Sequence, residues 1–290
     1  MNDRFTDVPG LVVGHAEDRT ARTGVTVVRP DAPMIMGVDV RGGAPGTRET
    51  DALAPDTLVE RVHALVLSGG SVFGLAAADA VAVALSKRGI GLEAGPLRVP
   101  VVPAAILFDL ANGGDKSWDK PPYRALALAA LDARDDVSGA VGAGFGAVAG
   151  SRPGGIGSAS TTHAGYTVGA LIAVNSFGEV HAGEPPSGEV PLPKLNRARG
   201  LAGRENTTIG AVATDAPLTR SQATRLAAMA HDGLARCIRP IHTMFDGDCL
   251  FAISTAPPGT APVDAVMLSI LGTLAADMVA LAVRRAVFGG

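Results

Sequence analysis

Short runs of β-branched and small apolar residues, each closed by Gly, Pro or Asp, alternate along this chain with longer Ala- and Leu-rich stretches. Val12–His15, Gly24–Val28 and Met34–Val40 are of the first kind and predict strands, as do His63–Leu67, Val99–Asp109, Val168–Asn175, Ile209–Thr214 and Leu250–Thr255. Leu75–Lys87, Tyr123–Ala133, Thr219–Arg236 and Pro262–Val287 predict helices. Several of the strand runs are apolar without alternation, so the sheets must be covered, and the helices are the available cover. A layered α/β domain follows. Arg41–Asp51, Gly113–Pro122 and the Pro-rich Glu184–Leu201 read as polar connections between these elements.

Composition narrows the class. With 290 residues and no low-complexity linker the chain holds one large domain or two modest ones. A hydrophobic share of 47% with 4% aromatics, 37 Gly and 20 Pro describes an Ala/Val/Leu core cut by tight turns. The net charge of -3 and the lack of a Lys/Arg cluster argue against nucleic acid and for a small neutral or zwitterionic ligand. The start, MNDRFTDVPG, has neither the basic nor the apolar region of a secretory signal. Cys237 and Cys249 are too few for a disulfide framework or a zinc site and fit a reducing cytoplasm. Ala265–Val283 is membrane-like in hydropathy but carries Asp277, so it reads as a buried helix rather than a span.

Two glycine-rich stretches invite chemistry. At "SGGSVFG", Gly69 and Gly70 sit where a strand turns into a helix, a junction that presents N–H groups to an anion or a developing oxyanion. The competing reading is that these glycines only permit close packing. Gly142–Gly150 matches G-x-G-x-x-A superficially, but the next acid, Glu179, comes only after another strand, so a tight turn or close approach is the better reading. The charged residues of Arg41–Asp51 could form a functional loop or pair with each other.

The stretch "GRENTTIGAVATDAPL" places Asn206-Thr207-Thr208 at the mouth of an apolar strand. It could be a polar loop, an N-x-[ST] glycosylation acceptor, which the missing signal disfavours, or a peptide bond built to be broken. No G-x-S-x-G, H-E-x-x-H or P-loop pattern occurs, and the six His are scattered singly. A threonine can instead be activated by its own free α-amine, whose ordinary pKa near ~8 suits general-base work. An internal threonine acquires that amine only if the preceding bond is cut, which Thr207 could do by attacking the Asn206 carbonyl. Further on, "FDGDCLFAIST" sets Asp246 and Asp248 at i, i+2, a spacing that turns both carboxylates to one face of an extended segment. Alone, D-G-D is also a common turn.

Taken together, "GHAEDRTARTGVTVV", "DVRGGAPGTRETDAL", "HALVLSGGSVFGLAAADAV", "VPAAILFDL", "VGALIAVNSFGEV" and "NTTIGAVATDAPL" resemble the L-aminopeptidase/D-esterase family of N-terminal nucleophile hydrolases, over nearly the whole chain. Within it, N-T-T with an acid pair looks most like the nylon-oligomer hydrolase branch. The resemblance implies an αββα four-layer sandwich and one domain, 1–290, that cleaves itself into 1–206 and 207–290. The two pieces stay together, usually as a tetramer of such pairs, with no cofactor and no metal. It implies Thr207 as nucleophile, Asn206 before the cut, Asp246 and Asp248 as supporting acids, and Asn175 as the amide facing the oxyanion. An asparagine suits that last role because its NH₂ donates without needing a proton.

The chain departs from that branch at two places. Phe108 stands where some relatives carry a tyrosine, and "GAVAGSRPGG" leaves Ser151 or Arg152 where the branch has a lysine. An arginine cannot act as a neutral base. Phe108, Ser151, Arg152, Gly69 and Gly70 are the candidate substrate contacts. The expected activity is hydrolysis of N-terminal peptide bonds or related amides and esters in small molecules. The alternatives are an uncleaved, non-catalytic binding protein of the same fold and an acyltransferase using the same nucleophile.

Overall fold

Two five-stranded sheets share an apolar layer, and helices cover the outer face of each, in the computed structural model, which describes residues 3–185 and 206–289. The strands are β1 (Leu11–Asp18), β2 (Thr23–Pro30), β3 (Ile35–Val40), β4 (Thr47–Arg48), β5 (Leu65–Ser68), β6 (Ala104–Ile106), β7 (Gly155–His163), β8 (Tyr166–Asn175), β9 (Thr207–Thr214) and β10 (Cys249–Ser254). The helices are α1 (Ala76–Lys87), α2 (Tyr123–Asp132), α3 (Arg220–Ala235) and α4 (Ala265–Phe288). One sheet runs β1-β2-β5-β6-β4 and the other β7-β8-β9-β10-β3.

The side-chain period of two sorts each strand's residues between layers. In β9, Ile209, Ala211 and Ala213 join Met36, Leu171, Phe251 and, from the opposite sheet, Val28, Leu65 and Leu67 in the layer between the sheets. Val212 points the other way, into the layer built with Leu226 and Ala230 of α3 and Leu271 and Val279 of α4. Val25, Val27 and Val66 face Val81 of α1 and Leu131 of α2. This is the αββα order, and it explains the unalternated strands: both faces are buried.

Helix starts are chemically marked. Thr219 accepts from the Gln222 N–H while the Gln222 side chain accepts from the Thr219 N–H, a reciprocal cap that opens α3. Asp264 caps α4 through the Met267 N–H. α4 is long and apolar enough by composition to cross a membrane. Here one of its faces packs on β7, β8 and α3, and Asp277 pairs with Arg236 of the α3 C-cap.

Two expectations need correction. No strand is predicted between Gly150 and Val168, yet Gly155–His163, "GIGSASTTH", form β7, paired with β8 along their length. The reason is the approach of α4: a Cβ at Gly157 would stand 1.8 Å from the Ala282 carbonyl oxygen, so the strand is glycine-rich to admit the helix. Val99–Asp109 is not one strand; only Ala104–Ile106 pairs into the sheet, because Pro100 and Pro103 have no N–H to give a ladder. Val99 instead ends a small ribbon with Leu92–Ala94. The predicted loop Glu184–Leu201 lies, from residue 186 on, outside the described residues.

Candidate active site

Thr207 opens β9 between β8 and β10, opposite Asn175 in the antiparallel register, and is 3% exposed. In phase with Ile209 and Ala211, its side chain belongs to the layer between the sheets. The residue before it is held by backbone and side chain alike. The Asn206 N–H donates to the Phe245 carbonyl (3.1 Å), and its side-chain Nδ2 donates to the Ser176 carbonyl (2.8 Å). The Asn206 carbonyl accepts from the Gly247 N–H (3.0 Å) and from the Thr207 hydroxyl (2.5 Å). The same Gly247 N–H lies 3.2 Å from Thr207 Oγ1. One backbone donor thus serves the carbonyl and the hydroxyl of adjacent residues.

Glycine is required at the centre of D-G-D for this. A Cβ at Gly247 would stand 2.7 Å from Thr207 Oγ1 and 2.6 Å from the Ala44 carbonyl oxygen, closer than such atoms come. The loop after β3 braces the motif from the other side. Arg41 and Gly42 N–H groups donate to the Asp248 carbonyl and the Ala44 N–H to the Asp246 carbonyl. The charges of this loop do not pair with each other: Arg48 reaches Asp79 and Glu49 accepts the Val102 N–H.

Both acids are fully buried and saturated with donors. Asp246 accepts the Phe177 N–H (3.1 Å), the Thr243 N–H (3.0 Å) and the Thr243 hydroxyl (2.6 Å). Asp248 accepts the Thr208 N–H (2.8 Å) on one oxygen and both the N–H and the Nδ1 of His242 (3.1 and 2.8 Å) on the other. Burial, and after it the charge of Asp248, raises the Asp246 pKa above the ordinary carboxylate value. Among the described residues neither carboxylate hydrogen-bonds the Thr207 hydroxyl. Asp248 instead grips the next residue of the strand, and so sets where Thr207 stands.

A cavity of about 220 Å³ opens against Asn206, walled by Phe108, Asp109, Asn112, Val148, Asn175 and Phe177 among others. Asn175 is fixed there: its Oδ1 accepts the Val148 N–H (2.8 Å) and its Nδ2 donates to the Phe108 carbonyl (3.0 Å). An amide NH₂ has two protons to give, so one donor of Asn175 is not used by these bonds. Phe108 contributes a wall and a carbonyl.

The other candidate contacts stand apart from it. The Ser151 hydroxyl donates to Glu179 (3.0 Å), and the Arg152 guanidinium lies 5.2 Å from the Phe288 ring centre. The Gly70 N–H donates to Asp109 Oδ1 (2.8 Å), while a Cβ at Gly69 would meet the other Asp109 oxygen at 2.1 Å. The turn at Gly69–Gly70 therefore cradles an anion, and that anion is the protein's own. The Gly142–Gly150 segment is likewise a close approach, since a Cβ at Gly142 would meet Thr26 Oγ1 at 2.3 Å.

Four groups at or beside the site were not singled out from the sequence: His242, Thr243, the Gly247 N–H and Asp109. His242 is six residues before Asp248 in "IHTMFDGD", a spacing with no recognisable pattern, and backbone donors leave no compositional trace. Asp109 stood in view at the end of a predicted strand. It is the one ionisable side chain among those lining the cavity, and burial pushes its pKa up to about 6 against the pull of the Thr23 hydroxyl and the Gly70 N–H. No group of three or more His, Cys, Asp or Glu among the described residues is arranged to hold a metal ion.

Comparison with known proteins agrees with this architecture. Residues 3–290 match peptidase family S58. A protein described as an uncharacterized aminopeptidase of Mycobacterium tuberculosis is 42% identical over 96% of this chain and 92% of its own length. The 6-aminohexanoate-oligomer endohydrolase of a Kocuria species is 29% identical over 86% of this chain and 74% of its own. Among solved structures, a Burkholderia beta-aminopeptidase superposes with a TM-score of 0.78 at 25% identity, covering 99% of this chain and 86% of that one. The L-aminopeptidase D-Ala-esterase/amidase of Ochrobactrum anthropi, described as a variant among the Ntn hydrolase fold, gives 0.76 at 23% identity, covering 98% and 85%. By sequence and by fold, the chain belongs to peptidase family S58 and is a hydrolase built on the Ntn scaffold.

Proposed function

We propose that this hydrolase activates itself by cutting the Asn206–Thr207 bond and then uses the freed Thr207 on the N-terminal peptide bonds of small peptides or on related amides and oligoamides. The observation that carries the reading is the arrangement at one carbonyl. The Thr207 hydroxyl and the Gly247 N–H converge on Asn206, whose own N–H and side chain are tied down. Attack of Thr207 Oγ1 on the Asn206 carbonyl carbon puts negative charge on an oxygen that already has a fixed donor, the kind of preorganised stabilisation that lowers such barriers most. The C–N bond then breaks and the nitrogen takes the proton that the hydroxyl gave up, leaving an ester between Asn206 and the Thr207 oxygen. Water hydrolyses that ester to the Asn206 carboxylate and a free Thr207.

The new α-amine becomes the base for the second reaction, taking the proton from its own hydroxyl as that oxygen attacks a substrate carbonyl. Asn175, with an amide proton to spare at the cavity wall, is the side-chain donor for the resulting oxyanion. Asp248 holds the strand at Thr208, and Asp246, its pKa raised by burial, ties the Phe177 and Thr243 turns beside it. The same reading includes assembly as a tetramer of cleaved pairs, supported by the exposed Val83 and Leu128 in an apolar groove between α1 and α2. It also includes a cytoplasmic setting, in keeping with two free buried cysteines.

Intact-mass spectrometry of purified protein tests the proposal. Two masses, for residues 1–206 and 207–290, are expected from the wild-type chain and from Thr207→Ser at a reduced rate. Thr207→Ala is expected to stay whole and inert toward an aminoacyl p-nitroanilide. A wild-type chain that remains a single full-length species after prolonged incubation would overturn the processing step.

A further inference from the structure

We propose that His242 is a positioning residue for this chemistry, holding the Asp248 carboxylate in the fixed place from which it anchors the start of β9. The inference rests on the Thr207 reading given above. Its basis is a relay of contacts. Asp248 spends one oxygen on the Thr208 N–H (2.8 Å) and gives the other to His242, which reaches it with backbone N–H (3.1 Å) and ring Nδ1 (2.8 Å) together. Each carboxylate oxygen already accepts a backbone N–H, and the ring meets the second of them through Nδ1, the donor wherever that carboxylate is ionised. One carboxylate thus connects the imidazole to the residue directly after the nucleophile.

The backbone of His242 points to the same role. Its φ is +56°, a left-handed conformation that a residue with a Cβ adopts only where surrounding contacts hold it. The paired bonds to Asp248 are such contacts, and an edge-to-face contact with the His231 ring of α3, at 4.9 Å and 71°, is another. The groups that bear on this pair of rings are Asp248, the Asp39 carbonyl and carboxylate, and Arg41, which is itself paired with Asp39 at 2.7 Å. His231 is buried, and burial lowers its pKa to about 4, so at neutral pH it faces His242 as an uncharged ring. A neutral neighbour leaves the His242 proton directed at Asp248 alone.

A donor lost from a carboxylate raises that carboxylate's proton affinity and frees it to move. Two substitutions separate the donor from the backbone. His242→Gly and His242→Asn both accept a positive φ, but only Asn carries an amide N–H near the place of Nδ1. With processed enzyme and an aminoacyl p-nitroanilide as probe, His242→Gly is expected to lower kcat about 10-fold or more with KM little changed, the effect of deleting a hydrogen bond to a charged group. His242→Asn is expected to recover most of the rate. Asp248→Asn serves as the reference and is expected to impair turnover whichever residue stands at 242. If Asp248→Asn is impaired while His242→Gly keeps wild-type kcat, the inference about His242 falls and the site reading stands. Equal losses of kcat in Gly and Asn would likewise overturn it, leaving a packing role. If Asp248→Asn turns over normally, the site reading itself falls.

Discussion

The turn after β5 and the turn before β10 each present a glycine N–H to an oxygen, and they are used in opposite ways. After β5, the Gly70 N–H donates to the Asp109 carboxylate, a side chain that stays where it is. Before β10, the Gly247 N–H donates to the carbonyl of Asn206, on the bond proposed to break. By sequence only the first reads as an oxyanion site, because a helix follows it, while Gly247 is the unremarked centre of D-G-D. The difference is what already occupies the donor. A donor satisfied by a fixed internal side chain is a packing device, whereas a donor aimed at a carbonyl remains aimed at whatever oxygen replaces it.

Substitution of the two glycines breaks this comparison most directly. Gly247→Ala forces a methyl to 2.7 Å from Thr207 Oγ1, and a displaced hydroxyl on this scale loses reactivity by about 100-fold or more. The time course of fragment appearance by intact mass is the measurement, with the melting temperature expected to change less than the rate. Gly70→Ala should do the reverse. Its φ is +85° and the added methyl meets the Tyr123 ring at 2.0 Å, so a loss of about 2–4 kcal/mol in stability is expected. The folded fraction, separated by size, should still process at nearly the wild-type rate. Urea melts of both variants read the first effect, and a Gly70→Ala protein that folds normally but cannot cut itself would reverse the assignment of the two turns.

The smallest expected effect concerns the anion itself. The Asp109 pKa is raised by burial from 3.8 to about 6, so the folded state binds this proton more tightly than the unfolded state. The stability that proton contributes is complete below about pH 4 and is lost as pH rises through about 6. Asp109→Asn removes the dependence while keeping a carbonyl oxygen for one of the two donors. Between pH 5 and 8 the variant should gain on the wild type by roughly 1–3 kcal/mol in urea-derived stability, the order set by a shift of this size. Parallel stability curves across that range would show that Asp109 does not titrate as its burial implies.

How much of this was written in the sequence follows from which physical rule each part obeys. Apolar runs and their lengths gave the strands and helices of the four layers, because burial dictates composition. β7 was hidden because its glycines answer to the Ala282 backbone of α4, a partner more than a hundred residues away. Thr207, Asn206, Asn175, Asp246 and Asp248 could be named because they are side chains in distinctive company, and the fold brings all five to one end of the β8–β9–β10 ladder. Ser151 and Arg152 were drawn in only by their position in a pattern, and their side chains are engaged with Glu179 and Phe288. The Gly247 N–H was illegible, since every residue but proline has one. His242 was illegible for a different reason: six residues of separation become contact only through the turn at Thr243, whose hydroxyl and N–H close on Asp246.

The register of the second sheet gives the proposed cut a place in time. The Asn206–Thr207 bond lies between β8, which comes before it in the chain, and β10, whose entry segment supplies the Gly247 donor forty residues later. A nascent chain that has not yet joined these three strands has no polarised carbonyl to attack, and once joined it has no free edge along β9 by which the pieces could part. Cleavage would therefore record that assembly is complete, a covalent receipt issued once per molecule, and the ratio of cut to uncut chain in a growing cell would count how many copies have reached the native state.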